Sequence, residues 1–171
     1  LAYLRVAANP DDEASLLRVI NVPPRGVGKT SVDRVLEIAT KKGVSLGVAF
    51  DKGPLEGVSV EIVETVRAFR RSLAACVKRI PDVGLVQAIR ELLLAVNYAA
   101  EVERCYPDPV AKQVRWAAVE EVLNLAENYV RRTNGPTLAG FLEELALSTE
   151  ETADEEDETT RDVVTLMTLH S

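Results

Sequence analysis

The sequence predicts an all-α fold: a multi-helix domain with a helix–hairpin–helix-like element, plus a short terminal strand from a neighbouring domain. Three observations lead there. Ala, Val, Leu and Glu dominate the 171 residues, while aromatics make up only 5%, a usage that leans towards helix. Apolar residues recur at threes and fours, the period of a helix with one buried face. Capping residues and Pro/Gly breakers punctuate those stripes. With 47% apolar residues, a chain of this length buries a full core without staples.

The elements follow in order. Leu1 to Ala8 reads as the second half of a helix. Asn9-Pro10-Asp11-Asp12-Glu13 is a helix start: Asn caps, Pro suits the first position and the acids complement the positive end. Pro23-Pro24 stops that helix. Gly26-Val27-Gly28 follows, then Thr30 as a cap for a stripe of Val32, Val35, Leu36 and Ala39, ended by Gly43. Residues 11–20 and 30–41 are thus expected to pack as two helices joined by a hairpin at 21–29. A short helix is expected from Ser45 to Phe50 and a loop over 51–57. Val58 to Ile80 is a long amphipathic helix carrying Ile62, Val66, Phe69, Leu73 and Val77. Leu85 to Val102 and Val110 to Arg132 are two more, separated by Pro107 and Pro109. After Asn134-Gly135-Pro136, Thr137 caps a final helix with Leu138, Phe141, Leu142, Leu145 and Leu147.

Residues 149–162 read as an acidic linker. Val163 to Ser171 is a β-branched apolar run, typical of a buried strand. A lone strand has no sheet to join, so both ends are expected to have been cut from a larger protein. The domain scheme is therefore a junction helix at 1–8, a helical domain at 9–148, the linker, and a strand of a second domain at 163–171.

Composition removes several functions. No run of eighteen apolar residues spans a membrane, and no basic-then-apolar start suggests secretion; a cytoplasmic location is expected. The two cysteines, Cys76 and Cys105, form no disulfide framework and no cluster has zinc spacing; both read as small buried apolar residues. With His170 the single histidine, no nucleophile–base pair can be assembled, so no catalytic residue and no metal site is expected.

The net charge of −7 hides an uneven distribution. Glu143 to Asp162 holds ten acids and one base, which leaves residues 1–142 at +2. Residues 18–42 hold six bases against two acids. Local distribution says more about partners than the total does.

The informative segment is Ile20-Asn21-Val22-Pro23-Pro24-Arg25-Gly26-Val27-Gly28-Lys29-Thr30. Two glycines permit a tight turn and close approach to a ligand. The following helix then points its first amides outward, where an anion is favoured. Val27 can anchor the hairpin in the core, and Arg25, Lys29 and Thr30 sit where they could reach phosphate oxygens. Such a site reads backbone rather than bases, so binding is sequence-independent and salt-sensitive. The same residues also suit an ordinary tight turn between packed helices. Gly28-Lys29-Thr30 ends like a Walker A loop, but that pattern needs glycine where Pro23 stands and a strand before it. Nucleotide binding here is rejected.

Leu1-Ala-Tyr-Leu-Arg5, Arg18 through Gly28 and the closing Val164-Thr-Leu-Met-Thr-Leu-His-Ser171 together resemble the UvrD/PcrA/Rep type of superfamily 1 DNA helicases. The match is close at both ends and in the first quarter; residues 44–160 match in helical character and in the acidic linker. The resemblance implies a parent that uses ATP and Mg, translocates 3′→5′ on single-stranded DNA and unwinds duplexes through motor domains 1A, 1B and 2A. It implies that this chain is the regulatory 2B domain, which swivels against the motor, and that it lacks the ATPase motifs and is inactive alone. Arg25, Gly26, Val27, Gly28, Lys29 and Thr30 fall on the duplex-contacting hairpin. Thr168 and His170 fall on the start of helicase motif V, whose family role is contact with single-stranded DNA in the complete motor.

The rest of the chain supports plainer readings. Trp116 and Tyr129 suit core packing. Arg70-Arg71 and Arg131-Arg132 suit solvated helix faces more than a second DNA site. The competing function is a helical protein-interaction module that docks a DNA repair or transcription partner; an exposed apolar patch favours it, a basic glycine-centred tip favours DNA.

Overall fold

The computed structural model describes residues 1–52 and 54–147. They are mostly helical, with no strand among them, in keeping with the all-α expectation. The expected linker and terminal strand, with Thr168 and His170, lie outside the described residues.

Helix α1 (Ala2–Ala8) buries Tyr3, Leu4, Val6 and Ala7. It packs on α2 (Glu13–Val19) and on the long α5 (Val60–Lys78). The start of α2 differs from expectation. Asp12, not Asn9, is its cap, accepting from the Ser15 amide at 2.9 Å, while Asn9 accepts from the Asp11 amide instead. A carboxylate three residues before an orphan amide is the better-placed cap.

Helix α3 (Lys29–Lys42) begins one residue earlier than expected, with Gly28 as its cap and Thr30 inside the first turn. Gly43 closes it at φ +62°, the left-handed conformation that glycine tolerates. The two helices do not form the expected mutually packed pair: α2 packs chiefly on α1, and α3 chiefly on α4 (Leu46–Asp51). Ser45 caps α4 through the Val48 amide.

Helix α5 starts at a Ser59 cap and buries Val63, Val66, Phe69, Leu73 and Cys76. Pro81 stands in a single turn, α6 (Ile80–Val83). The expected helix from Leu85 to Val102 is two helices, α7 (Leu85–Ala95) and α8 (Tyr98–Cys105). Asn97 separates them at φ +53°, and asparagine is among the few side chains that enter this region readily. Helix α9 (Pro109–Arg132) starts at Asp108, which accepts from the Ala111 amide at 2.8 Å. Residues 138–147 are again helical, and the Thr137 hydroxyl accepts from the Gly140 amide as expected of a cap.

One core joins these helices. Phe50, Val35, Leu46, Val66, Leu16, Leu73 and Phe141 are buried almost completely, and each such side chain stabilises the fold by about 1.5–3 kcal/mol relative to exposure. Cys76 is buried, but Cys105 is exposed, with its thiol donating to Glu101 Oε1 at 3.1 Å. Tyr129 packs in the core as expected, whereas Trp116 meets Tyr98 edge-on and stays 36% exposed.

Candidate nucleic-acid interface between α2 and α3

The turn from Ile20 to Gly28 hangs from three anchors. Val27 is 2% exposed and plugs into the core. The Asn21 carboxamide oxygen accepts from two amides, Arg25 at 2.7 Å and Val27 at 3.2 Å. The Tyr3 hydroxyl of α1 donates to the Val22 carbonyl, and burial pushes that phenol above its ordinary pKa.

Arg25 is the surprise. Its guanidinium turns inward and lies over the Phe69 ring of α5, 4.2 Å from the centroid. One terminal nitrogen, Nη1, is within reach of the carbonyls of Val22 (2.7 Å), Val19 (3.0 Å) and Pro23 (3.2 Å). Val19 ends α2, where carbonyls lack helical partners and the helix dipole is negative; a cation there satisfies both. No signal within the turn's own sequence reveals this, because Phe69 and Tyr3 are supplied from other helices.

The remaining expected residues face outward. Gly26, Gly28, Lys29 and Thr30 are exposed. Gly26 carries the one positive φ of the turn, +75°. Gly28 has an ordinary extended backbone at φ −73°, and a Cβ there would meet nothing within 4 Å. The amides of Gly28, Lys29 and Thr30 donate to no acceptor among the described residues. No acid stands in the first turn of α3, and Lys29 makes no ion pair among the described residues. An open, positively polarised helix end thus coincides with an ammonium that has no ion-pair partner among the described residues, the arrangement that suits a phosphate.

The other basic pairs are engaged. Arg70 donates to the Pro10 carbonyl and pairs with Asp51 at 2.9 Å. With Arg67 and Arg71 it lines a cleft of about 540 Å³ between α1 and α5, which Asp51 and Glu64 also line. Arg131 pairs with Glu127, and Arg132 with Glu144. Among the described residues, no group of three His, Cys, Asp or Glu side chains could hold a metal ion, and no helix is long and apolar enough to cross a membrane.

Comparison with known proteins gives a consistent picture. All residues, 1–171, match the UvrD-like helicase C-terminal domain. The chain is 30% identical over 174 residues to the ATP-dependent DNA helicase PcrA of Bacillus subtilis, a match covering 100% of this chain and 23% of that protein. It is likewise 30% identical to PcrA of Staphylococcus aureus and 29% to PcrA of Staphylococcus epidermidis, each over 173 residues with the same coverage. The chain therefore spans about a quarter of the length of the curated relatives it matches. From residue 1 to residue 171, this chain belongs to the UvrD-like helicase C-terminal domain family.

Proposed function

We propose that the chain is the regulatory 2B domain of an ATP-dependent 3′→5′ DNA helicase and contacts duplex DNA through the turn between α2 and α3. The observation that carries this is the start of α3: among the described residues its first three amides have no acceptor and Lys29 no ion pair, and two glycines beside them are exposed. Gly26, Gly28, Lys29 and Thr30 approach the phosphates. Val27 anchors the turn, and the inward Arg25 contributes from within rather than at the surface. Such contacts read charge and backbone shape, so affinity is independent of sequence and falls with salt.

ATP and Mg, together with motor domains 1A, 1B and 2A, belong to the parent in this reading, and the chain alone neither binds nor hydrolyses ATP. Thr168 and His170 meet single-stranded DNA only when the motor is complete. The cytoplasm is the corresponding compartment. Calorimetry of the chain with Mg-ATP should be flat; a saturable isotherm would remove the assignment.

The deciding experiment is fluorescence anisotropy with labelled duplexes across a salt series. Binding should be weak, at or beyond the weak end of roughly 10⁻⁴–10⁻⁶ M at physiological salt. Lys29→Ala should lower affinity equally for all sequences and reduce the salt slope by about one unit. Affinity and slope unchanged in Lys29→Ala would favour the second reading, a surface for a repair or transcription protein. One observation supports that reading: Val110 and Val114, one turn apart at the start of α9, are both exposed.

A further inference from the structure

We infer that Asn21 and Arg25 are positioning residues, which hold the Gly26–Thr30 turn in the shape that presents its amides and Lys29 to a phosphate without touching the phosphate themselves. The inference rests on the proposed DNA contact and deepens it.

The geometry divides the turn into an inner and an outer layer. In the inner layer one oxygen, Asn21 Oδ1, takes the amides on both sides of Gly26, those of Arg25 and Val27. This wraps the chain around the residue whose φ is +75°. Arg25 then lies over the Phe69 ring and brings its Nη1 within reach of the carbonyls of Val19, Val22 and Pro23. Those carbonyls belong to the end of α2 and the first half of the turn, so a single side chain joins α2, the turn and α5. Tyr3 adds α1 by donating to the Val22 carbonyl, and its ring meets Phe69 edge-on at 6.3 Å. The outer layer, Gly28 to Thr30, has no such internal partners among the described residues. Its geometry is inherited from the layer beneath.

The chemistry of arginine explains why this residue fits. A planar guanidinium can stack on a ring and still donate in its own plane to several oxygens. To reach an external phosphate it would have to leave the ring and the carbonyls together. Lysine keeps the charge but has no planar group to lie over the ring while it donates to the carbonyls, so it cannot replace Arg25 in the inner layer. At a surface phosphate contact, by contrast, lysine keeps the charge that neutralises the phosphate, and so part of the affinity.

The test is a double-mutant cycle in the full 171-residue chain, read by duplex-DNA anisotropy, with amide hydrogen exchange over residues 21–30. Arg25→Gln should weaken binding about five- to tenfold, and Arg25→Lys by as much. Adding Lys29→Ala to Arg25→Gln should cost much less than Lys29→Ala alone, because the two act through one arrangement. Exchange at residues 26–30 should quicken in both Arg25 variants while protection in α9 is unchanged. Asn21→Ala, which alters no charge, should reproduce both results more mildly, and it carries the cycle if circular dichroism shows that Arg25→Gln does not fold. Restoration of binding by Arg25→Lys, or full additivity with Lys29→Ala, would make Arg25 a direct phosphate contact and overturn the inference. If Lys29→Ala weakens binding but Asn21→Ala and the Arg25 variants do not, only the positioning role fails. If Lys29→Ala has no effect either, the DNA contact fails and takes the positioning role with it.

Discussion

The first turns of α3 and α9 solve the same problem in opposite ways. Both helices must do something with amides that have no helical acceptor. At α9, Asp108 accepts from the Ala111 amide and Pro109 removes a donor. Within that first turn only the Val110 amide is left without an acceptor among the described residues. At α3 the cap is Gly28, no side chain among the described residues accepts, and the first residue is a lysine, whose charge adds to the positive end of the helix dipole. A start of this kind is unfavourable when empty and favourable when an anion arrives. The contrast teaches that an interface can be read from a local rule left unmet, provided that the surrounding structure holds the unmet groups in place.

That condition gives the largest expected effect. Phe69→Ala removes the platform under Arg25 and the edge contact to Tyr3, and should cost about 3–5 kcal/mol, measured by chemical denaturation. Hydrogen exchange should show the loss first around α2 and α3, with α9 protected longer. A uniform loss across both regions would mean that the α3 end has no separate support.

The two glycines come next. Gly26→Ala places a side chain at φ +75° and should cost about 1–2 kcal/mol. Gly28→Ala has open space and an ordinary backbone, so its cost to the free chain is confined to the poorer helix cap, about 0.5–1 kcal/mol. A further effect, if a duplex backbone comes close, appears in anisotropy.

Exchanging the two caps sharpens the comparison further. Asp108→Ala should cost about 1 kcal/mol and leave DNA binding alone. Gly28→Asp should do the reverse. It supplies the missing acceptor, stabilises the free chain by a few tenths of a kcal/mol at about the level of a glycine-to-aspartate cap, and weakens DNA binding because a carboxylate now occupies the anion's place. A Gly28→Asp chain that binds duplex DNA normally would show that the open amides are not the contact.

The smallest effect is a pH dependence at α2. The Ser15 amide holds the Asp12 carboxyl below its ordinary pKa. A carboxyl lowered by folding contributes stability above its unfolded value and loses it as pH falls through its folded value. The acid limb of the stability curve, below about pH 4, should therefore be slightly shallower in Asp12→Asn, which keeps an acceptor that does not titrate. An unchanged limb would show that this cap contributes nothing to acid sensitivity.

Much of the molecule was legible beforehand. The helix class, the stop at Pro23-Pro24, the burial of Val27 and the outward position of Lys29 all follow from local rules. Errors gathered where local rules compete. Asn9 and Asp12 are both good caps, but the Asn9 side chain takes the Asp11 amide and its carbonyl the Asp12 amide, so Asp12 is the one that caps the helix through Ser15. Nothing in Leu85 to Val102 breaks a helix outright, yet Asn97 takes the left-handed conformation and divides it.

By itself the sequence determined what propensity, capping and periodicity control: a helical chain, a glycine turn, a basic first turn on α3 and the family to which these segments are similar. Those signals act over one to four residues, so they survive without knowledge of the fold. Only the tertiary structure decided which way Arg25 faces. An arginine beside a glycine turn reads the same whether it meets a phosphate outside or a ring inside. Here Phe69 of α5, Tyr3 of α1 and the carbonyls at and just beyond the end of α2 converge on one point, and residues distant in sequence meet there only because the helices pack. The guanidinium turns inward because the ring and the carbonyls together offer it more partners than solvent-facing space beside a lone turn.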